Sequence, residues 1–158
     1  MKLKTKKLKL CLVSSTGGHW QELMCLYGLS ETYDVFFVTE QNEKLSINFS
    51  QKIFFLNQID RKMRGAILKF FQLCIQSFKI IAKEKPDVVI TTGALFSFPF
   101  CLVGKIMRKK IVYIESYARV TTKSLTGRLV YPISDLFIIQ WESLLKCYPK
   151  AIYKGALF

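Results

Sequence analysis

The residue types best suited to chemistry lie in one short loop near the N-terminus, residues 14–19, which read SSTGGH. The apolar run at residues 8–13 predicts a β-strand before this loop, and residues 21–27 predict a helix after it. Unpaired N–H groups and the positive end of the helix dipole at a helix start favour an anion. Two glycines allow the backbone a sharp turn and a close approach to a ligand. The loop is interpreted as a diphosphate site, with an ordinary strand-to-helix turn as the alternative, and its candidate contacts are Thr16, Gly17 and Gly18.

Two side chains are candidates for moving a proton. His19 is the only histidine of the chain, and imidazole is the commonest general acid or base near neutral pH. Glu115 follows a predicted strand at residues 111–114, where a carboxylate can bind a sugar hydroxyl or act as a base. For Glu115 the alternative is an exposed ion pair with Arg119 that closes a turn and contributes little. No serine, cysteine or aspartate has the spacing of a nucleophilic triad.

Two further polar loops follow predicted strands. Thr92 and Gly93 come at the end of residues 88–92, and Arg119 follows Glu115. In a parallel α/β sheet, ligands bind beyond the carboxyl ends of the strands, near the point where the strand order reverses. We therefore expect Thr92 and Gly93 to extend the diphosphate cradle, and Arg119 to pair with a phosphate through its two-pronged guanidinium group.

An aromatic residue and a carboxylate, Trp141 and Glu142, follow the last predicted strand. An indole at such an edge stacks on a sugar or fills a subunit interface, because it is large and amphipathic. The alternative for Trp141 is a place in the core. Both residues are taken as candidates for contact with a partner or a sugar.

The apolar runs favour one α/β domain over residues 1–158 with a doubly wound, mostly parallel, Rossmann-like sheet. Helical patterns separate most of the strands. Pro99 lies inside the predicted helix that runs toward Met107, so that helix is expected to start late or to kink. The predicted strands are residues 8–13, 34–39, 52–56, 88–92, 111–114 and 136–139.

Apolar residues make up 51% of the chain, enough to form a folded core, and the formal net charge is +13. Basic proteins of this kind bind nucleic acid, anionic lipid or phosphorylated substrates, but the basic residues are dispersed and form no nucleic-acid recognition motif.

The five cysteines are scattered, which predicts reduced thiols and no metal site. The glycine loop is not G-x-G-x-x-G, so no dinucleotide cofactor is expected. The N-terminal segment is expected to be a strand rather than a signal peptide.

The segment 61–85 predicts a long helix whose apolar residues are too many for one core-facing stripe. It is interpreted as a crossover helix packed on the sheet. Its basic residues add a second hypothesis, binding to an anionic membrane surface. An N-terminal lysine cluster would support that binding, at about 1 kcal/mol for each lysine near the surface, although a solvated tail is the alternative. The cluster is Lys2, Lys4, Lys6, Lys7 and Lys9.

Together these stretches resemble known glycosyltransferases. Residues 15–19, 86–90 with Gly93 and Pro99, and Glu115 resemble the N-terminal domain of the N-acetylglucosaminyltransferase that makes lipid II. Residues 115–120, 125–127, 140–142 and 148–151 resemble the glycosyltransferase enhancers of bacterial capsule and exopolysaccharide synthesis. These are similar in turn to the anchoring subunit of the eukaryotic dolichol-linked N-acetylglucosaminyltransferase.

The resemblance implies the N-terminal, acceptor-side half of a GT-B glycosyltransferase divided between two chains. A donor-binding catalytic subunit, a UDP-sugar and a polyprenyl-diphosphate-linked sugar are then the expected partners, at the cytoplasmic face of the cell membrane. The eukaryotic subunit has an N-terminal membrane helix, and no apolar run of this sequence is expected to form one. Peripheral attachment through basic or amphipathic segments is therefore expected. The rival hypotheses are a non-catalytic membrane anchor and a stand-alone nucleotide-sugar enzyme.

Overall fold

The structure is a computed structural model that describes residues 7–41, 50–56 and 66–158. The strands are β1 (Lys9–Val13), β2 (Asp34–Glu40), β3 (Lys52–Leu56), β4 (Val88–Thr91), β5 (Lys110–Ile114), β6 (Leu136–Ile139) and β7 (Ile152–Tyr153). The α-helices are α1 (Gly18–Met24), α2 (Leu29–Thr32), α3 (Ala66–Glu84), α4 (Phe98–Ile106) and α5 (Leu125–Val130). Short 3₁₀ turns span Leu95–Ser97 and Glu142–Lys146. Lys2, Lys4, Lys6 and residues 61–65 lie outside the described residues.

The described strands form one seven-stranded sheet in the order β3-β2-β1-β4-β5-β6-β7, and every neighbouring pair is parallel. The predicted doubly wound sheet is confirmed, with strand ends within about two residues of those expected. The sequence pattern missed β7, because it has only two residues and both are exposed.

The sheet carries a hydrophobic core on each face. One core holds inward residues of α3, α4 and α5, such as Ile81, Phe100 and Val130. The other core packs Trp20 and Leu23 of α1 against the strands. Two apolar faces on one sheet explain why the strands are continuous apolar runs rather than alternating ones.

The start of α4 confirms the expectation drawn from Pro99. Ala94 has a φ of 65° and is followed by a 3₁₀ turn, so the α-helix begins only at Phe98. Pro99 then lies in the first turn, where its missing N–H has no helical acceptor to lose.

The helix α3 runs antiparallel to the strands across one face of the sheet. At its C-terminal end, Glu84 accepts hydrogen bonds from Lys9 (2.9 Å) and Lys52 (2.5 Å), the first residues of β1 and β3. Its N-terminal half therefore lies at the carboxyl edge of the sheet, where Phe70 stacks on Phe98 at 5.9 Å.

The outward face of α3 is an apolar stripe in solvent, which we call the α3 stripe. Opposite it, Leu73, Ser77 and Ile81 are buried. Among the described residues no helix is both long enough and apolar enough to span a membrane. The stripe consists of Ile67, Leu68, Phe71, Ile75 and Phe78, each between 55% and 73% exposed.

Candidate functional site

The reversal of strand order brings the predicted loops together. β1 and β4 are neighbours in the sheet, while the chain leaves them toward β2 on one side and β5 on the other. Loops beyond such a pair diverge and leave a crevice at the carboxyl edge. The residues that follow β1, β4 and β5 meet there, as the sequence predicted.

His19 is held in one orientation by reciprocal bonds with Thr92. Its Nδ1 lies 3.0 Å from the Thr92 carbonyl oxygen, and the Thr92 hydroxyl donates to the His19 carbonyl at 2.7 Å. A carbonyl only accepts, so this partner assigns the proton of the neutral ring to Nδ1 and leaves a lone pair on Nε2. The ring lines the cleft at the carboxyl edge, so its position suits proton transfer or, when protonated, the binding of an anion.

Thr92 and Gly93 are placed behind His19 rather than on the surface of the cleft, which corrects their predicted role. The Thr92 side chain is buried, and the Gly93 N–H donates to the Thr91 hydroxyl at 3.0 Å. The Gly93 N–H is therefore not free to bind a diphosphate, and Thr92 is enclosed. A Cβ on Gly93 would lie 3.1 Å from Cε1 of His19, so the missing side chain is what admits the imidazole.

The cleft itself is small, with a volume of about 170 Å³. His19 lies on one wall, and Ser116 and Arg119 from the loop after β5 lie on the other. Arg119 is exposed, and its N–H donates to the Ser116 carbonyl at 2.9 Å, which fixes the turn that carries it. Gly17 and Gly18 are also exposed, at the start of α1. The cleft thus combines a guanidinium group with an imidazole, and the exposed start of α1 directly precedes His19 in the chain.

Glu115 is fully buried and does not line the cleft. Its carboxylate accepts hydrogen bonds from the hydroxyls of Tyr148 (2.7 Å), Ser124 (3.0 Å) and Tyr113 (3.3 Å). The Ser116 N–H donates to it at 3.0 Å. These donors compensate the loss of water around a buried carboxylate, so the alternative of an exposed Glu115–Arg119 pair is wrong.

The surroundings of Glu115 make it a positioning group in this arrangement. A Cβ on Gly127 would come within 2.3 Å of its Oε2 and within 2.4 Å of the Tyr148 hydroxyl, so only glycine fits there. The Ser124 hydroxyl also accepts from the Gly127 N–H and caps α5. Glu115 does not itself line the cleft, although its partner Ser124 does. Its hydrogen bonds hold β5, α5 and the chain near Tyr148 together, so we assign it a positioning role in place of the predicted catalytic one.

Sequence reasoning missed Glu22, a second buried carboxylate behind the cleft. Its Oε1 accepts from the Ser116 hydroxyl (3.0 Å) and from the Tyr117 N–H (3.1 Å). Burial raises the pKa of the Glu22 carboxyl above its ordinary value, and these two donors oppose part of that rise. The predicted helix began only at residue 21, so the sequence did not show that His19 and Glu22 lie one helical turn apart on α1.

Trp141 and Glu142 separate in the structure. The Trp141 indole is half-buried, donates to the Tyr117 carbonyl at 2.7 Å and packs on the Tyr117 ring at 4.9 Å. Phe158 packs on the same ring at 5.4 Å and is 68% exposed. Glu142 is exposed at the start of a 3₁₀ turn. The three rings, Tyr117, Trp141 and Phe158, form an aromatic cluster at the edge of the site.

Within residues 7–41, 50–56 and 66–158, no group of three or more His, Cys, Asp or Glu side chains has an arrangement that could hold a metal ion. The five cysteines are free thiols. Burial raises the pKa of the Cys101 thiol to about 12, so this thiol is protonated and unreactive at neutral pH.

Comparison with known protein families shows which family this chain belongs to. A family model described as "Oligosaccharide biosynthesis protein Alg14 like" matches residues 10–157. The chain belongs to the Alg14 family. It is 31% identical to the human "UDP-N-acetylglucosamine transferase subunit ALG14" over 96% of this chain and 84% of that protein. The Candida albicans protein of that name is 44% identical over 48% of this chain and 37% of its own.

Solved structures give the same architecture at low sequence identity. Acinetobacter baumannii MurG matches with a TM-score of 0.73 and 12% identity, over 86% of this chain and 42% of its own. A UDP-N-acetylglucosamine 2-epimerase matches with a TM-score of 0.76 and 17% identity, over 92% of this chain and 45% of its own. This Alg14-family chain thus spans less than half the length of these proteins and has the fold of a GT-B N-terminal half.

We expect Glu115→Ala to lower the free energy of unfolding by about 3 kcal/mol, because five donor groups would lose their buried acceptor. Urea unfolding followed by circular dichroism measures this, with Glu142→Ala as the matched control at an exposed carboxylate. Glu115→Gln keeps one acceptor oxygen and should lose less. Equal unfolding midpoints for Glu115→Ala and Glu142→Ala would refute the assigned positioning role.

Gly93→Ala should displace the His19 ring, since the added Cβ meets Cε1 at 3.1 Å and Gly93 has a φ of 113°. The expected cost in the free energy of unfolding is about 1–2 kcal/mol. Gly28→Ala is the control, because nothing lies within 4 Å of its added Cβ and its φ is −57°. The His19 ring resonances in NMR spectra should move in Gly93→Ala only, and unchanged resonances would contradict the packing.

Proposed function

We propose that this Alg14-family chain is the acceptor-side subunit of a two-chain glycosyltransferase. In this proposal it binds a polyprenyl-diphosphate-linked sugar, and a separate donor-binding subunit supplies a UDP-sugar. The observation that carries it is the cleft at the switch between β1 and β4, which pairs His19 with Arg119 on a GT-B N-terminal half. The names of the relatives point to UDP-N-acetylglucosamine as the donor and to a subunit role.

The charge and backbone of the cleft suit a diphosphate. Arg119 offers a planar, two-pronged donor to phosphate oxygens. Thr16, Gly17 and Gly18 lead into α1, whose first N–H groups have no acceptor within the helix. We assign the binding of the diphosphate to these groups. Thr92 and Gly93 contribute indirectly, because they hold the His19 ring in place.

His19 is the group that we assign to the chemical step. With its proton on Nδ1, Nε2 is free to accept the proton of the acceptor hydroxyl. The hydroxyl oxygen then bonds to the anomeric carbon of the donor sugar, and the bond from that carbon to the UDP oxygen breaks. The donor belongs to the partner subunit, so both chains are needed for turnover.

The α3 stripe supplies a membrane contact in this proposal. Its five apolar side chains lie in solvent, and its N-terminal half lies at the same edge of the sheet as the cleft. Basic residues around it, such as Lys79 and Lys83, are exposed and attract anionic lipid headgroups. A peripheral position at the cytoplasmic membrane face would bring a lipid-linked diphosphate within reach of Arg119.

We place the partner against the aromatic cluster and Glu142. Exposed aromatic groups are enriched at subunit interfaces, and Trp141 and Phe158 lie beside the loop that carries Arg119. A role in capsule or exopolysaccharide synthesis is the biological setting that the sequence resemblance favours, and it rests on that resemblance alone.

The test of this function is transfer of labelled N-acetylglucosamine from UDP-N-acetylglucosamine to lipid, in membranes that carry a polyprenyl-diphosphate-linked sugar. Transfer is expected only when both subunits are present. At equal yield of complex, His19→Ala should reduce the rate at least about 100-fold. Arg119→Ala should reduce it about tenfold, while the exposed Arg128→Ala on α5 serves as the matched control.

Three results would contradict the proposal. Transfer by this chain alone would make it a stand-alone enzyme. Full activity of both His19→Ala and Arg119→Ala would reduce it to a membrane anchor that recruits its partner. An equal loss in Arg128→Ala would mean that the general positive charge, rather than the cleft, determines activity.

Vesicle binding tests the α3 stripe separately. Phe71→Glu should weaken binding to vesicles containing phosphatidylglycerol about tenfold or more, because it removes an apolar side chain that would enter the lipid and adds a charge that the anionic surface repels. Ile152→Glu is the control on β7, whose register places this side chain on the face opposite α3. Equal binding of both variants in a flotation assay would exclude the stripe as the membrane contact.

A further inference from the structure

We infer that Glu22 is a positioning residue of the acceptor site, which fastens the loop carrying Ser116 and Arg119 to the helix that carries His19. This inference rests on the proposed function, because it concerns the same cleft. Neither the family comparisons nor the sequence motifs assign a role to Glu22.

The contacts of Glu22 lead away from its own helix. Its side chain is 5% exposed, and Oε1 accepts from both the Ser116 hydroxyl and the Tyr117 N–H, 94 and 95 residues away in the chain. Charge-assisted hydrogen bonds to a carboxylate are about twice as strong as neutral ones. Two such bonds to consecutive residues fix both the position and the direction of the loop after β5.

The geometry of the cleft follows from this attachment. Ser116 and Arg119 line one wall, and the turn between them is closed by the bond from the Arg119 N–H to the Ser116 carbonyl. His19 lies on the other wall, one helical turn before Glu22. A shift of the loop relative to α1 therefore changes the distance between the Arg119 guanidinium group and His19, and a displacement of about 1 Å is enough to impair catalysis.

A third contact links Glu22 to the C-terminal segment. The Gln140 amide donates to Glu22 Oε2 at 3.4 Å and to the Glu115 carbonyl at 3.0 Å. Its oxygen accepts from the Leu157 N–H at 2.9 Å. Glu22 and Gln140 thus connect α1, the end of β5 and the chain near Phe158, so the buried carboxylate joins the separate segments that surround the cleft.

The experiment is steady-state kinetics of the two-subunit complex, with UDP-N-acetylglucosamine as donor and synthetic farnesyl-diphosphoryl-N-acetylglucosamine as acceptor. Glu22→Ala should raise the KM for the acceptor about tenfold, with the KM for the donor unchanged. Glu22→Gln should restore part of the acceptor KM, since its amide oxygen still accepts from Ser116 and Tyr117 while its amide nitrogen loses the longer contact with Gln140. Glu31→Ala, at an exposed carboxylate on α2, is the matched control.

A second variant covers the case in which Glu22→Ala does not fold. Ser116→Ala removes one donor and leaves the carboxylate in place, and it should raise the acceptor KM about threefold. In the double variant with Glu22→Ala, the two effects should be less than multiplicative, because both changes remove the same hydrogen bond.

Three outcomes would overturn the inference: an unchanged acceptor KM in Glu22→Ala, an equal rise in the KM values of donor and acceptor, or a loss in Glu22→Gln as large as in Glu22→Ala. Arg119→Ala separates this inference from the proposed function. If Arg119→Ala raises the acceptor KM and Glu22→Ala does not, only the role of Glu22 fails. If neither Arg119→Ala nor His19→Ala changes transfer, the acceptor site itself is refuted.

Discussion

Two buried carboxylates must be supplied with hydrogen-bond donors, and the arrangement of the functional edge depends on that requirement. An unpaired carboxylate in an apolar interior is prohibitively unfavourable. Glu115 is compensated by hydroxyls from Tyr113, Ser124 and Tyr148, and Glu22 by the loop after β5. Since these donors come from distant parts of the chain, satisfying the two charges also brings the walls of the cleft together.

The topology of the parallel sheet places these loops around one cleft. Its strand order reverses between β1 and β4, so the loops that follow these strands face a common crevice. His19 enters that crevice because Gly93 lacks a side chain, and the Thr92 carbonyl determines which ring nitrogen carries the proton. A glycine and a backbone carbonyl thus set the position and the tautomer of His19.

The two faces of α3 explain the unusual apolar content of this basic chain. One face completes the core through residues such as Leu73 and Ile81, and the other holds Phe71 and Ile75 in solvent. A crossover helix and a membrane-binding helix are therefore compatible, because each interpretation uses a different face. The position of its N-terminal half at the carboxyl edge relates the proposed lipid contact to the proposed acceptor cleft.

The sequence by itself determined six of the seven described strands, the parallel α/β class, the late start of α4 and the loop containing His19. These features depend on local periodicity, on proline and glycine, and on residue type, so they are readable within a few positions. Tertiary structure alone decided that Glu115 is enclosed, that Thr92 and Gly93 hold His19, and that Glu22 bonds the loop after β5. Burial and hydrogen bonding of these groups depend on partners up to 118 residues away, and no local pattern specifies which distant donor a carboxylate will meet.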